Sequence, residues 1–102
     1  MVYMFDIDGT ICNNTDGKYE DAIPMLKRIA VINQLYNEGH TIKLYTARGA
    51  TTGIDWTELT VSQMKEWGVK HHTLMLGKPH YDIFIDDKAV SDKRFFERYS
   101  VD

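Results

Sequence analysis

The sequence predicts an α/β fold with a Rossmann-like, mostly parallel sheet sandwiched by helices. Apolar runs typical of strands alternate with stretches of helical spacing, in the order strand, helix, strand, helix, strand, strand, helix. The first and last strands run directly into acids: Asp6 and Asp8 in one case, Asp86 and Asp87 in the other. Because ligands gather at the carboxyl ends of parallel strands, these acids mark the expected functional edge of the sheet.

The first half of the chain is expected to form two strands on either side of one helix. Met1–Asp8 starts as an apolar run, which is typical of a buried central strand. A polar loop over Gly9–Tyr19 follows it. A helix is predicted over Ala22–Glu38, with a proline in its first turn and a glycine after its end. Thr41–Thr46 alternates between polar and apolar residues and is predicted to be a strand.

The second half repeats the alternation with shorter elements. After a polar loop over Ala47–Asp55, helical spacing predicts a second helix over Trp56–Trp67. Thr73–Leu76 and Ile83–Asp86 are predicted to be two further strands, and Val90–Arg98 a last helix. Neither polar loop has room for a folded insertion. The expectation is therefore one domain over residues 1–102 without a cap domain.

Composition limits the class of protein and its partners. The 102 residues carry a net charge of −3, so no positive field gathers nucleic acid. No stretch approaches the roughly 20 apolar residues of a membrane span, and the N-terminus lacks the basic start of a signal peptide. Cys12 is the single cysteine, so no disulfide within the chain is possible. A cytoplasmic location is expected.

The run Asp6–Thr10 (Asp-Ile-Asp-Gly-Thr) has the strongest chemical signal. Asp6 and Asp8 are two residues apart, so in a continuing strand their side chains point the same way, and Gly9 lets the backbone turn after them. Two carboxylates at a strand end suit a hard cation, or a nucleophile paired with a general acid. The competing explanation is an acidic Asp-Gly turn that only ends a strand.

Two further elements with polar side chains follow this run along the chain. Thr46 ends a predicted strand, so its hydroxyl and the N–H of Ala47 can hold a phosphoryl oxygen, and Arg48 can add a bidentate contact. Lys78 can neutralise a nucleophile and a phosphoryl charge. In isolation, the threonine, arginine and lysine are better explained as a strand end and solvated surface charges.

An acidic pair also follows the fourth predicted strand, as Asp6 and Asp8 follow the first. Asp86 and Asp87 are adjacent like charges, so a cation or a lysine is expected nearby. The alternative for Asp87 is a helix N-cap, with the helix beginning near Lys88.

This set, in this order and over most of the chain, resembles the haloacid dehalogenase (HAD) superfamily of phosphohydrolases in a small capless form. The resemblance implies that Asp6 is the nucleophile and forms a phosphoaspartate, and that Asp8 is the general acid and base. It implies Mg²⁺ held by Asp6, the Asp8 carbonyl and Asp86, with Asp87 as a further or indirect ligand. It also implies that Thr46, Ala47, Arg48 and Lys78 bind the phosphoryl group.

The resemblance implies a phosphorylated small molecule or a phosphorylated saccharide as substrate. The segment Tyr45–Gly49 (Tyr-Thr-Ala-Arg-Gly) is similar to small phosphatases of capsule and sugar-phosphate metabolism. A capless site is open, which favours an extended substrate or a pocket completed by another subunit. Since only one helix follows Asp87, a homo-oligomer is also expected.

Two rival classes remain at this level. A receiver-like signalling domain also gathers acids, a threonine and a lysine, but it places its acidic pair first and its phosphorylated aspartate mid-chain. Here Asp86 and Asp87 come last. An inactive or regulatory module that binds a phosphate or metabolite is the other rival, and the filling of every expected catalytic position argues against it.

Overall fold

A computed structural model describes all 102 residues of the chain. Its sheet has three parallel strands in the order β1-β2-β3: β1 (Val2–Phe5), β2 (Thr41–Thr46) and β3 (Thr73–Leu76). The helices are α1 (Leu26–Asn37) between β1 and β2, α2 (Thr57–Glu66) between β2 and β3, and α3 (Asp92–Glu97) after β3. This confirms the predicted α/β class with a parallel sheet, helices and no cap.

The core lies on one face of the sheet, where the pleat places alternate residues of each strand. Ile42 and Leu44 of β2 are fully buried, and Phe5 pairs in register with Leu44. On the opposite face, Val2 and Met4 of β1 are exposed. Residues from every layer complete the core: Ile7, Ile11, Cys12, Ile29, Val31, Ile32, Leu35, Met64, Val69, Phe95 and Phe96.

Helix α3 packs on the first strand through aromatic rings. The Phe5 ring lies with its centroid 5.6 Å from that of Phe95 and 6.2 Å from that of Phe96. Ser91 caps the helix, since its Oγ accepts a hydrogen bond from the N–H of Arg94. This short helix therefore depends on its cap and its two phenylalanines rather than on its length.

The first helix starts later than the sequence predicts, at Leu26 instead of Ala22. The intervening residues run extended beside the loop after β1, where the N–H of Met25 donates to the carbonyl of Ile11 and that of Asn13 to the carbonyl of Ile23. These hydrogen bonds replace the first helical turn. As a consequence the loop after β1 is fastened to the start of α1.

The predicted fourth strand, Ile83–Asp86, is absent, and the prediction was wrong for this segment. It has no strand partner, and Ile83 and Ile85 are 77% and 92% exposed. The rings of Tyr81 and Phe84 lie 5.4 Å apart, which suits a compact bend more than an extended chain. The sheet has β1 at one edge, so the prediction of a buried central strand was wrong for β1. None of the helices is long and apolar enough to cross a membrane.

Gly49 makes the tight loop after β2 possible. Its φ is +82°, and a Cβ there would overlap the carbonyl oxygen of Ile54. We expect Gly49→Ala to lower the free energy of unfolding by about 2–4 kcal/mol, from left-handed strain and overpacking together. Urea denaturation measures this.

Gly53→Ala is the matched control for this prediction. Gly53 has a similar φ of +76°, but a Cβ there would meet nothing within 4 Å. Its substitution is expected to cost about 1 kcal/mol, from backbone strain alone. Equal losses for the two variants would show that the close approach to Ile54 is not what requires glycine.

Candidate active site at the carboxyl end of the sheet

A tight turn after β1 places two acids at the end of the sheet. The carbonyl of Ile7 accepts hydrogen bonds from the N–H groups of Thr10, Ile11 and Cys12, at 3.0, 2.8 and 3.3 Å. Gly9 makes the reversal with a φ of +88°. Asp6 and Asp8 flank the fully buried Ile7, so both carboxylates are fixed at the base of this turn.

Lys78 lies beside the first of these acids. Its Nζ is 3.5 Å from Oδ1 of Asp6, and its N–H donates to the Thr46 carbonyl at 3.2 Å. Asp6, Thr46 and Lys78 follow or end the three parallel strands, which explains why residues distant in sequence meet here. The structure therefore brings together three of the predicted site residues.

Asp6 is a partly buried carboxylate, and 38% of its side chain is exposed. Burial raises the pKa of Asp6 above its ordinary value, and the charge of Lys78 and a hydrogen bond from Thr10 offset only part of this. The Thr10 hydroxyl donates to Oδ2 of Asp6 at 3.2 Å. A further positive charge near Asp6 would favour its ionised form, which is the form that a nucleophile needs.

Lys78 remains a cation in this environment. Burial alone would lower the pKa of Lys78, but interactions with the Tyr81 side chain and with Asp6 outweigh it, so the pKa lies above its ordinary value. The Tyr81 ring centroid is 5.1 Å from Nζ and that of Tyr45 is 6.0 Å away. The site thus has one fixed positive charge next to Asp6.

Asp8 has a different partner, Arg48. The Nε of Arg48 donates to Oδ2 of Asp8 and its Nη2 to Oδ1, both at 2.9 Å, in a bidentate ion pair. The Arg48 side chain is fully buried, whereas that of Asp8 is 16% exposed. This placement differs from the phosphate contact predicted for Arg48, because the guanidinium faces the protein interior.

The rest of the Arg48 guanidinium is also bound within the protein. Its Nη1 donates to Oγ1 of Thr60 at 3.1 Å and to Oε1 of Gln63, both on α2. Its Nη2 lies 3.9 Å from Sγ of Cys12, and the Tyr19 ring stacks over the guanidinium with its centroid 4.7 Å from Cζ. No donor of Arg48 is left for an external anion.

Thr46 and Ala47 lie beside these charges. The buried Thr46 accepts a hydrogen bond on Oγ1 from the N–H of Arg48 at 3.1 Å, so its own hydroxyl proton is still available to donate. The N–H of Ala47 donates to no group of the chain. Two donors at the end of β2 therefore have no acceptor within the chain.

Asp86 and Asp87 are placed away from this arrangement. They follow the exposed segment that the sequence predicted as a strand, and both are exposed. Oδ1 of Asp86 accepts from the N–H of Lys88 at 3.3 Å in a local turn. Nowhere does the chain gather three or more histidine, cysteine, aspartate or glutamate side chains into a group able to hold a metal.

The residues at the end of β1 nevertheless match the chemistry of a hard cation. Asp6 supplies a carboxylate whose charge is under-compensated, and the Asp8 carbonyl accepts no hydrogen bond. Both are oxygen donors, the type that Mg²⁺ prefers. The set fits a magnesium ion in donor type, but Asp6 and Asp8 alone leave its shell incomplete.

Sequence reasoning missed several residues of this site. Thr10, within the recognised motif, bonds the Asp6 carboxylate, and Tyr19, Thr60 and Gln63 surround Arg48. Gln63 has a usable signal, because it is a polar residue on the apolar face of the predicted second helix. Cys12 is fully buried, as expected for a small core residue.

Comparisons with known proteins agree with the fold. No protein-family model and no curated protein matches the chain. In structure, the chain is similar to a target protein from Vibrio cholerae, with a TM-score of 0.83, 25% identity, and 92% of this chain and 85% of that chain covered.

Two longer proteins contain a similar fold. One is a D,D-heptose 1.7-bisphosphate phosphatase from B. bronchiseptica in complex with magnesium and phosphate, with a TM-score of 0.57, 18% identity, and 99% of this chain and 64% of that one covered. The other is in a Pnkp1/Rnl/Hen1 complex, with a TM-score of 0.61, 16% identity, and 98% and 34% covered. These likenesses show the fold, which is consistent with a HAD-like α/β fold without a cap.

Cys12 allows a direct test of the packing behind Asp8. Burial raises the pKa of the Cys12 thiol to about 12, and the charge of Asp8 adds to the effect. An ordinary thiol has a pKa of about 8.5. We therefore expect alkylation of Cys12 by iodoacetamide at pH 8.5 to be about 100-fold slower in the native protein than in the urea-unfolded protein. Mass spectrometry measures the rate without background, because this is the single cysteine. Equal rates in both conditions would contradict the buried placement.

Proposed function

We propose that this protein is a Mg²⁺-dependent phosphomonoester hydrolase that acts through a phosphoaspartate on Asp6. The observation that carries the proposal is the position of Asp6, a partly exposed carboxylate just past the end of β1, with Nζ of Lys78 3.5 Å from its Oδ1. An anionic nucleophile that approaches an anionic phosphate needs fixed positive charge and oriented donors more than elaborate covalent chemistry. The phosphatase among the proteins of similar fold supports the same reaction class.

The chain's own residues divide the reaction between them in this proposal. Asp6 attacks phosphorus and displaces the alcohol, and Lys78 neutralises the nucleophile and the transferring group. The Thr46 hydroxyl and the Ala47 N–H hold phosphoryl oxygens. Asp8 in its protonated form donates its proton to the leaving alcohol, and the carboxylate so formed then takes a proton from the water that hydrolyses the acyl phosphate.

A magnesium ion completes the proposed site. When bound, it would supply positive charge that offsets the phosphoryl group and the nucleophile. Asp6 and the Asp8 carbonyl would hold it, and Asp86 and Asp87 are the proposed further ligands.

The proposed substrate is a sugar phosphate or another biosynthetic phosphomonoester. The absence of a cap leaves the carboxyl end of the sheet open, which suits a phosphorylated small molecule or saccharide. A cytoplasmic, single-domain enzyme that forms a homo-oligomer is part of the same proposal. Val2, Met4 and Ile83 are exposed apolar residues that such an assembly would cover.

Replacement of the nucleophile tests the reaction. Wild-type protein with Mg²⁺ is expected to hydrolyse p-nitrophenyl phosphate, and Asp6→Asn to lower kcat by about 10³-fold or more, because the amide cannot form the acyl phosphate. Asp16→Asn is the control, since Asp16 lies in the loop outside the site and its loss should leave turnover unchanged.

A panel of phosphomonoesters decides between this function and its main alternative. Turnover that is lost with Mg²⁺ removal and with Asp6→Asn supports the hydrolase. Absence of turnover on every member of the panel would refute it, and phosphate binding by the same sample would then favour the regulatory binding module. A stable phosphoaspartate with no hydrolysis would instead favour the receiver-like domain.

The proposed role of Asp86 has its own test. Asp86→Asn is expected to weaken Mg²⁺ binding about 10-fold or more by titration calorimetry, with little change in stability, because Asp86 is exposed. Asp82→Asn is the matched control, an exposed acid four residues earlier. An unchanged Mg²⁺ affinity for Asp86→Asn would remove Asp86 from the proposed ligand set.

A further inference from the structure

Lys78 has a flexible side chain, yet its ammonium group lies in a largely enclosed position beside Asp6. The Lys78 side chain is 14% exposed, whereas that of Asp6 is 38% exposed. The 3.5 Å between Nζ and Oδ1 of Asp6 is longer than the about 2.7–2.9 Å of a strong charge-assisted hydrogen bond. The ion pair with Asp6 alone therefore does not explain where the ammonium group lies.

Two tyrosine rings lie close to the same ammonium group. The ring centroid of Tyr81 is 5.1 Å from Nζ and that of Tyr45 is 6.0 Å from it, and a ring face attracts a cation at such distances. We propose that Tyr81 is a positioning residue whose ring holds the Lys78 ammonium group beside Asp6. The inference rests on the proposed function, in which Lys78 neutralises charge, and adds to it a residue that acts through Lys78.

The backbone of Lys78 is fixed separately from its side chain. The N–H of Lys78 donates to the carbonyl of Thr46 at 3.2 Å, so the start of this loop is attached to the end of β2. The lysine stem has four carbons and many rotamers, and a fixed backbone does not by itself place Nζ. A contact at the far end of the side chain is therefore needed to hold the charge in one position.

Tyr81 is better suited to this role than Tyr45. Its ring is the nearer of the two, and it follows Lys78 by three residues, with Pro79 restricting the backbone between them. Tyr45 belongs to β2, where the sheet fixes its backbone, and its centroid lies at the outer limit of a contact between a cation and a ring. The short loop from Lys78 to Tyr81 thus brings the closer ring to the ammonium group.

The Tyr81 side chain is not part of the hydrophobic core. Tyr81 is 42% exposed, and its ring packs on Phe84, which is itself 55% exposed, at a centroid distance of 5.4 Å. Substitutions of exposed side chains away from the core usually change stability little. The contact between Tyr81 and Lys78 can therefore be removed with the fold intact, which separates positioning from support of the fold.

The position of the ammonium group matters because its charge acts over a short range. A lysine that turns toward solvent is screened by water and salt, and it no longer offsets charge at a fixed point beside Asp6. Fixed charge that needs no reorganisation during the reaction is what stabilises a transferring phosphoryl group. Loss of the Tyr81 ring should therefore weaken the contribution of Lys78 without removing its charge.

Chemical labelling of the lysine amine tests the contact without any turnover. In Mg²⁺-free protein, Tyr81→Leu is expected to raise the acetylation rate of Lys78 by acetic anhydride about 5-fold relative to the exposed Lys65, because the ring no longer covers Nζ. Tyr81→Phe keeps a ring and is expected to leave the rate within about 2-fold of wild type. Mass spectrometry of the peptides measures both lysines in one sample.

Kinetics of the Mg²⁺-loaded protein test the consequence for the reaction. Tyr81→Leu is expected to lower kcat/KM for p-nitrophenyl phosphate about 10-fold, and Tyr81→Phe to keep it within about 2-fold of wild type. Phe84→Leu is the matched control, an aromatic residue of the same exposed segment whose ring makes no contact with the Lys78 cation. Its kcat/KM should stay within about 2-fold of wild type, and an equal loss for Phe84→Leu would assign the effect to packing of the segment.

A double-mutant cycle tests whether the effect passes through Lys78. In a Lys78→Met background, Tyr81→Leu is expected to cause less than about a 2-fold further loss of kcat/KM, since the charge that the ring holds is already gone. Independent, multiplicative losses would overturn the proposal, because Tyr81 would then act on the reaction by another route.

The outcomes distinguish this inference from the function on which it rests. Equal acetylation of Lys78 in wild type and Tyr81→Leu, or equal kinetic losses for Tyr81→Phe and Tyr81→Leu, would refute the role of the ring and leave the proposed function intact. No turnover of any phosphomonoester by wild type would refute the proposed function and the role of Tyr81 in it, even where acetylation differs between the variants. Faster acetylation in Tyr81→Leu, with a kinetic loss that phenylalanine prevents and that disappears in the Lys78→Met background, supports both.

Discussion

The buried ion pair between Arg48 and Asp8 is the interaction on which the carboxyl end of the sheet depends. It joins the turn after β1, the loop after β2 and helix α2, three segments with no backbone hydrogen bonds to one another at this point. A charge pair in a protein interior contributes little net stability when complete, but loss of one member leaves an uncompensated charge that destabilises by about 3–5 kcal/mol. The position of each of these three segments therefore depends on the presence of the other two.

The same constraint separates two acids that are neighbours in the sequence. Both carboxylate oxygens of Asp8 are paired with a guanidinium inside the protein, whereas the Asp6 side chain is 38% exposed, lies 3.5 Å from Nζ of Lys78 and accepts a hydrogen bond from Thr10. Their environments differ because the tight turn at Gly9 sends one side chain toward α2 and leaves the other at the open edge. One strand end thus carries a carboxylate that a bidentate ion pair holds in place and a second carboxylate that is more exposed.

The parts of the fold that the sequence predicted well are those with strong local signals. Alternation in Thr41–Thr46 and the short apolar run Thr73–Leu76 gave both strands with their observed bounds, and α2 differs from its prediction by one residue at each end. The start of α1 was misplaced because residues 22–25 bond the loop after β1, a partner that periodicity does not reveal. Ile83–Asp86 has a strand-like pattern, but a strand also needs a neighbour, and none pairs with it.

The residues of the candidate site likewise fall into those that local sequence signals predict and those that they do not. Asp6, Asp8, Thr46 and Lys78 were predictable because strand ends of a parallel sheet converge, and the site has them there. Arg48 was predicted to bind the phosphoryl group, since sequence alone does not show which side of a loop faces inward. The burial of Arg48 depends on hydrogen-bond acceptors from α2, which lie elsewhere in the chain. A local sequence motif therefore does not predict it.

The connectivity of the sheet has a consequence for how the protein folds. Every ladder joins distant parts of the chain, as in the pairing of Val2 with Thr41, and the Asp8–Arg48 pair spans 40 residues. Long loops must close before such contacts stabilise anything, which slows folding and makes it cooperative. No fragment that emerges early in synthesis holds an assembled site. The carboxylates therefore gain their distinct environments only once these distant segments of the chain have come together.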